Sequence, residues 1–116
     1  MHELSLMENV MAIIQENAQQ NNINRVSKVK IILGQLSMAV PDSLQFAFTV
    51  LSEDPLFKGS VLEIEERPIV CFCNICQRSF TPPDSYSFLC PDCNNYQVEI
   101  VSGRELYLDY YEGEEI

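Results

Sequence analysis

The 116-residue sequence has little of what several classes of protein depend on. Lysine and arginine number 7 against 17 aspartates and glutamates, which leaves a formal net charge of -10. This imbalance argues against a phosphate-backbone partner and favours a basic protein or a cation. No apolar run approaches the ~18 residues that a membrane span requires, and the opening MHELS lacks the basic and apolar stretches of a secretion signal. The sequence therefore predicts a cytoplasmic protein with neither a nucleic-acid nor a membrane partner.

Histidine is nearly absent, since His2 is the only one. An HExxH zinc site is thereby excluded, and neither a glycine-rich phosphate loop nor a nucleophile paired with a base is visible. Carboxylates are plentiful but show no organised spacing. We therefore expect that the protein is not an enzyme.

Cysteine is confined to one short region. All five cysteines lie within 23 residues, at Cys71, Cys73, Cys76, Cys90 and Cys93. An odd, clustered set without a secretion signal is typical of metal binding rather than of disulfides. Four of them form the pairs CNIC and CPDC, which are separated by 13 residues. The predicted ligands are therefore Cys73, Cys76, Cys90 and Cys93.

Two CxxC turns can close a tetrahedron of thiolates around one ion. Such a set favours Zn²⁺, with rubredoxin-type iron as the main competitor. Because His2 is the only imidazole, a zinc site within this module must be all-cysteine, and a saturated site of this kind is structural. Glycine usually follows the second cysteine of such a turn, where φ is positive, but here the residues are Gln77 and Asn94. Cys71 is expected to be a spare, half-buried thiol at a strand end.

Helical spacing of apolar residues predicts two helices. The first runs from about 6 to 21, behind a capping box at Ser5 to Glu8, with Met7 and Met11 as core filler. The second begins at Pro41 and stops before Pro55. Its predicted buried face consists of Leu44, Ala47, Phe48 and Leu51, widened by Phe46 and Val50.

Alternating apolar and polar residues predict strands. One covers about 26 to 36, with Gly34 at a bend, and another covers 60 to 70. Two more β segments flank the turn Ser102 to Gly103, and the acidic tail EGEEI is expected to fray. Arg25, Lys28 and Lys30 are expected to protect a strand edge.

These elements predict an α+β fold with two helices on a small sheet. Strands precede and follow the cysteine module, so 60 to 70 and 104 to 111 are expected to pair, with the module inserted between them. The predicted domains are residues 1 to 70 with 99 to 116, and an inserted zinc ribbon at 71 to 98.

The amino terminus offers a second, different metal site. The amine of Met1, the backbone nitrogen and Nδ1 of His2, and the amide nitrogen of Glu3 can surround one ion in a plane. Four nitrogens in a square suit Ni²⁺ or Cu²⁺. The alternative interpretation of these three residues is that His2 is an exposed histidine that occurs there by chance and binds no metal.

Other functions remain open at this point. A zinc ribbon commonly serves as a nucleic-acid-associated or protein-interaction adaptor, although residues 71 to 98 contain one arginine and no lysine. An electron carrier with iron in the four-cysteine site would leave the α+β core unexplained.

Taken together, MHE, GQLSMAVPDSLQFAF, and CNIC with CPDC before GRELYL resemble the nickel metallochaperones of nickel–iron hydrogenase maturation over the full length. The resemblance implies two helices on a three-stranded sheet with an inserted zinc ribbon. It implies transported nickel at Met1, His2 and Glu3, and structural zinc at Cys73, Cys76, Cys90 and Cys93.

The same resemblance implies partners. These are a hydrogenase maturation GTPase as donor, a hydrogenase large-subunit precursor as recipient and, in some bacteria, urease maturation proteins. The chain itself is expected to be a monomer or a homodimer, and the sequence leaves both open. This sequence departs from the family in its extra Cys71, its lack of glycine in the CxxC turns and its lack of histidine in the zinc region.

Overall fold

The computed structural model describes residues 3–82 and 88–115. The elements in chain order are α1 (Glu3–Gln20), β1 (Ile23–Gly34), α2 (Pro41–Leu51), a 3₁₀ turn (Pro55–Phe57), β2 (Val61–Arg67), β3 (Val70–Cys73), β4 (Ser79–Phe80), β5 (Val98–Ser102) and β6 (Leu106–Glu115). They form two compact units. The first comprises Met1–Ile31, Ala39–Glu65 and Tyr107–Ile116, and the second comprises Ile32–Met38 and Glu66–Leu106. The domain bounds expected from the sequence stay a prediction.

Helix α1 buries one face and begins earlier than predicted. Its buried residues recur at helical spacing and are Met7, Val10, Met11, Ile14 and Ala18. Met7 and Met11 are core residues, as expected. The capping box was wrong, because the described helix already includes Glu3 and places Ser5 inside its first turn. The carboxylate of Glu3 interacts favourably with the positive end of the helix dipole. The S-x-x-E pattern begins only at Ser5, so it placed the start of the helix too late.

The first sheet has the strand order β2-β1-β6. Strands β2 and β6 lie in one sheet, as expected for 60 to 70 and 104 to 111, but their direct pairing was wrong, because β1 lies between them. Strand β1 is suited to the central place because Val26, Val29 and Ile31 are almost fully buried. The expectation that the basic residues of this strand protect a sheet edge was therefore wrong. Lys28 forms an ion pair with Glu63 at 2.5 Å, and Lys30 forms one with Glu65 at 3.0 Å.

Helix α2 begins with Pro41 in its first turn, where the missing N–H costs nothing. Leu44, Ala47 and Phe48 are buried, as predicted. The expected widening of the buried face was wrong, because Phe46 is 71% exposed and Val50 is 47% exposed. The ring of Phe48 packs edge-on against Phe57 at a centroid distance of 6.3 Å.

The second unit contains an antiparallel sheet of order β4-β3-β5. The strand expected at 60 to 70 is two strands, β2 and β3, which belong to different sheets. Pro68 lies between them and has no N–H to donate to a ladder. Strand β3 pairs Cys71 with Phe80 of β4 and with Ile100 of β5. Cys71, Cys73, Cys90 and Ile69 supply buried side chains here.

Two further expectations about the backbone are resolved. The acidic tail was expected to fray, but β6 continues to Glu115, and Ser27 donates a hydrogen bond to the Glu112 carbonyl at 3.2 Å. Gly34 ends β1 where the chain 103–105 approaches closely, and its N–H donates to the Glu105 carbonyl at 2.6 Å. A Cβ at Gly34 would lie 2.2 Å from the Gly103 oxygen, so glycine is required by contact rather than by a turn.

The α+β class is confirmed, with two helices, a three-stranded sheet and an inserted module that carries the cysteines. Within residues 3–82 and 88–115, neither helix has the length and apolarity that crossing a bilayer demands.

Candidate metal centre

The first CxxC turn begins at the end of β3. The N–H of Gln77 donates to the Cys73 carbonyl at 2.9 Å, and the N–H of Cys73 donates to the Arg78 carbonyl at 2.9 Å. Closing this turn requires a left-handed backbone at Gln77, whose φ is 59°. Such a conformation strains a residue that has a Cβ.

The second CxxC turn repeats the same pattern. The N–H of Asn94 donates to the Cys90 carbonyl at 2.8 Å, and the N–H of Cys90 donates to the Asn95 carbonyl at 3.0 Å. Asn94 has a φ of 55°. The positive φ expected after each second cysteine is therefore present in both turns, although neither has glycine there. Asparagine tolerates this conformation better than glutamine does.

The two turns bring the four predicted ligand atoms together. The Sγ atoms of Cys73, Cys76, Cys90 and Cys93 all lie within 4.8 Å of one another. Across the turns, Cys73 Sγ is 3.6 Å from Cys93 Sγ, and Cys76 Sγ is 3.5 Å from Cys90 Sγ. A tetrahedron with metal–sulfur bonds of ~2.3 Å has edges of roughly 3.8 Å. The sulfur set therefore fits a tetrahedral ion of the size of Zn²⁺.

Local hydrogen bonds and crowding shift the pKa values of the Cys73 and Cys76 thiols in opposite directions. Backbone N–H groups of Cys76 and Ile75 donate to the Cys73 sulfur, and the pKa of Cys73 is lowered to about 7. The neighbouring Cys90 thiol, burial and the Cys73 thiol raise the pKa of Cys76 to about 12. Four thiolates cannot coexist at these distances without a cation, and a bound divalent ion would offset half of their negative charge.

The centre is partly shielded from solvent. Cys73 and Cys90 are buried, whereas Cys93 is exposed. Arg78 and Asp92 approach to 3.4 Å, one beside each turn. With all four positions supplied by sulfur, the arrangement leaves no coordination site for a water or a substrate.

Cys71 is not part of the sulfur cluster. It lies on β3, two residues before Cys73, and its exposure is 0%. The expectation of a half-buried thiol was therefore wrong, because β4 and β5 flank it on both sides. Burial raises the pKa of the Cys71 thiol, so it stays protonated.

The predicted nickel residues are only partly within the described chain. Met1 and His2 lie outside the described residues, whereas Glu3 begins α1. The backbone N–H groups in the first turn of a helix have no acceptor within that helix. The amide N–H of Glu3 therefore makes no hydrogen bond within the helix.

Sequence reasoning missed an apolar groove beside Glu3. The groove is lined by Leu4 of α1 and by Phe46 and Val50 of α2. The signal was present in the sequence, because the apolar stripe of α2 is wider than one buried face requires.

A family model described as "Hydrogenase/urease nickel incorporation, metallochaperone, hypA" matches residues 1–113. The hydrogenase maturation factor HypA of Moorella thermoacetica is 39% identical over 114 residues, which cover 98% of this chain and 100% of that protein. HypA of Lawsonia intracellularis is 41% identical over 120 residues, with coverage of 98% and 100%.

Solved structures agree with this match. The solution structure of the Ni metallochaperone HypA from Helicobacter pylori has a TM-score of 0.68 and 25% identity, and the alignment covers 100% of both chains. A second solution structure of a HypA protein has a TM-score of 0.73 and 26% identity, with coverage of 98% of this chain and 97% of that one. The chain therefore belongs to the HypA family of hydrogenase maturation metallochaperones.

Proposed function

We propose that this protein binds Ni²⁺ at Met1, His2 and Glu3 and delivers it during maturation of nickel–iron hydrogenase, while zinc at the four cysteines holds the second unit together. One observation supports assigning different roles to the four-cysteine site and the amino-terminal site. Among residues 3–82 and 88–115, the only clustered metal ligands are four sulfurs that complete a tetrahedron. A closed site of this kind is suited to permanent binding and not to uptake and release of a cargo.

Zinc is the resident ion that best fits the sulfur set. Thiolates favour Zn²⁺ or iron, and the separations of 3.5 and 3.6 Å across the turns match a compact tetrahedron. The bound ion would offset half of the charge of the four thiolates and join the chain segments that carry the two CxxC turns. Its binding free energy then contributes to folding of the second unit.

Nickel binding at the amino terminus uses backbone atoms. The Met1 amine, the His2 backbone nitrogen and Nδ1, and the Glu3 amide nitrogen form a planar set, which suits Ni²⁺. Support comes from Glu3, whose amide lies in the first turn of α1 and gives up no helical hydrogen bond when it loses its proton. Nickel affinity rises with pH because the amide nitrogens must deprotonate to bind.

Delivery follows by ligand exchange and needs no catalysis. The net charge of -10 attracts the dication, and the open axial faces of a planar ion admit the incoming ligands of a recipient. The proposed donor is a hydrogenase maturation GTPase and the proposed recipient is a hydrogenase large-subunit precursor, as the resemblance in sequence implies. In some bacteria urease maturation proteins are further partners. The protein acts in the cytoplasm, as a monomer or homodimer.

The adaptor function that the sequence left open has less support. The two lysines of β1 are engaged with Glu63 and Glu65 of β2, so they do not form a free basic face. A nucleic-acid partner requires such a face to displace counterions.

The nickel site is tested by replacing His2 with alanine in protein that has an untagged amino terminus. Isothermal titration calorimetry should show loss of high-affinity nickel binding, with zinc content unchanged. X-ray absorption of the wild-type protein should report nitrogen-only planar nickel and four sulfurs on zinc.

Two matched variants sharpen the result. Glu3→Gln keeps the amide nitrogen and should still bind nickel, whereas an extension before Met1 removes the free amine and should abolish binding. Undiminished nickel affinity in the His2→Ala protein would refute the proposed site. Loss of nickel in Glu3→Gln would instead assign the carboxylate as the ligand.

A further inference from the structure

The groove between α1 and α2 opens to solvent and is mainly apolar. It has a volume of about 470 Å³. Its lining residues are Glu3, Leu4, Asp42, Ser43, Phe46, Ala47 and Val50. Ala47 forms part of its floor and is buried, whereas Phe46 and Val50 stand exposed. Large apolar side chains left in water and rimmed by polar groups are typical of a binding surface.

A second, smaller hollow lies between the same two helices. It has a volume of about 180 Å³ and is lined by Glu8, Met11, Ala12, Gln15 and Leu51. Leu51 directly follows Val50 of the larger groove, so the two hollows are adjacent on α2. Together they offer apolar contacts over several turns of helix.

The charged side chains of the two helices all have the same sign. Helix α1 carries Glu3, Glu8 and Glu16, and helix α2 carries Asp42, while neither helix contains a lysine or an arginine. Three of these four carboxylates line the two hollows. An occupant must therefore combine an apolar face with basic flanks.

This requirement separates the candidate occupants. A second copy of the chain would oppose one acidic rim to another, and each copy has a net charge of -10. Anionic lipid would meet the same repulsion. An amphipathic helix from a basic partner presents apolar side chains at i, i+3, i+4 and i+7, which is the spacing that enters a groove between two helices.

We propose that the groove defined by Leu4, Phe46, Ala47 and Val50 docks a basic amphipathic helix of a partner protein. Apolar side chains of that helix pack against Phe46 and Val50, and its lysines or arginines meet Glu3, Glu8 and Asp42. The apolar contacts provide most of the affinity, while the charges select the partner and speed its association. This docking does not rest on the nickel site.

The probe is a synthetic helical peptide of about 11 residues, or three turns, with leucine on one face and lysine and arginine on both flanks. Its fluorescence anisotropy is followed during titration with the zinc-loaded full chain. We expect saturable binding that weakens as salt is raised. Phe46→Ala should weaken the affinity about tenfold or more, and Val50→Ala by a smaller factor, because buried aromatic anchors dominate such contacts.

Matched controls define the surface. Ile13 on α1 is 59% exposed but does not line the groove, so Ile13→Ala should change the affinity less than about twofold. Asp42→Asn should reduce the salt dependence. A peptide with glutamate in place of its lysines and arginines should not bind. Circular dichroism and nickel titration of Phe46→Ala should match the wild type, which separates this proposal from that of the nickel site.

Three results would overturn the docking proposal. They are failure of the basic peptide to bind, equal binding by the Phe46→Ala protein, and equal binding of the acidic peptide. Sedimentation of the wild type as a dimer that Phe46→Ala dissociates would also refute it, because the groove would then hold a second copy.

Discussion

Cys71 and Cys73 lie two residues apart on β3, and both are fully buried, yet only the Cys73 sulfur joins the four-sulfur cluster. Alternate residues of a strand face the same side of its sheet, so the two thiols differ in their position along β3 and not in the face on which they lie. Cys73 is at the carboxyl end of the strand, where the chain turns, and Cys71 is held between Phe80 and Ile100.

This difference predicts opposite results for two cysteine variants. Cys90→Ser should lose the zinc and disorder the second unit, because the binding free energy of the metal is also folding free energy there. Cys71→Ala should keep a full equivalent of zinc and lose only about 1 kcal/mol of stability through a small cavity. Metal analysis and hydrogen exchange measure both outcomes. Protection of α1 and β1 should survive in Cys90→Ser, and its loss would show that the two units fold as one.

Replacing the left-handed residues of the CxxC turns with glycine is expected to increase stability. Gln77 has a φ of 59° and Asn94 one of 55°. Removing the Cβ relieves strain of ~1 kcal/mol or more at glutamine and less at asparagine, offset in part by the greater freedom of glycine in the unfolded chain. We expect Gln77→Gly to slow zinc loss to a chelator, and Asn94→Gly to do so less. Faster zinc loss from Gln77→Gly would mean that its side chain, and not its backbone, matters.

A side chain added at Gly34 is expected to destabilise the protein through a steric clash and not through an unfavourable backbone φ angle. A methyl group there would lie 2.2 Å from the Gly103 oxygen and 2.7 Å from the Glu105 nitrogen, both backbone atoms that cannot rotate away. Gly34→Ala should therefore destabilise the protein by about 3 kcal/mol or more. Gly59→Ala is the control, because its φ is +76° and its nearest contact is the flexible end of Arg25 at 3.3 Å. That variant should lose only ~1 to 2 kcal/mol, and equal losses on thermal unfolding would contradict the clash.

The environment of Glu105 predicts that part of the folding stability depends on pH. Its carboxylate accepts hydrogen bonds from its own N–H, from the Gly103 N–H at 2.8 Å and from Ser102 at 3.0 Å, and these lower its pKa. A lowered folded pKa means that the stabilisation is fully present above the unfolded pKa of about 4.3, and is lost as pH falls through the folded value.

Glu105→Gln should therefore be less stable than the wild type near neutral pH, and the two melting curves should converge in acid. Glu99→Gln, which removes an exposed carboxylate from β5, should differ little from the wild type. A difference between wild type and Glu105→Gln that persists unchanged in acid would show that the carboxylate charge is not the cause.

The grouping of the four cysteine sulfurs and the main helical faces were predictable from local patterns. The spacing within CNIC and CPDC constrains each pair to one turn, and residues three and four apart on a helix must share a face. Met7, Met11, Leu44 and Phe48 were accordingly placed in the core correctly. The positive φ of Gln77 and Asn94 followed from the same turn geometry.

The chain's residue pattern by itself determined the existence and type of most elements and the composition of the sulfur site, because those depend on neighbours in sequence. Only the tertiary structure decided that β1 lies between β2 and β6, that Pro68 separates two sheets and that the tail forms a strand. It also decided that Phe46 and Val50 face solvent. These outcomes depend on which distant segments meet, and hydrophobic periodicity describes a buried face without naming the element that covers it.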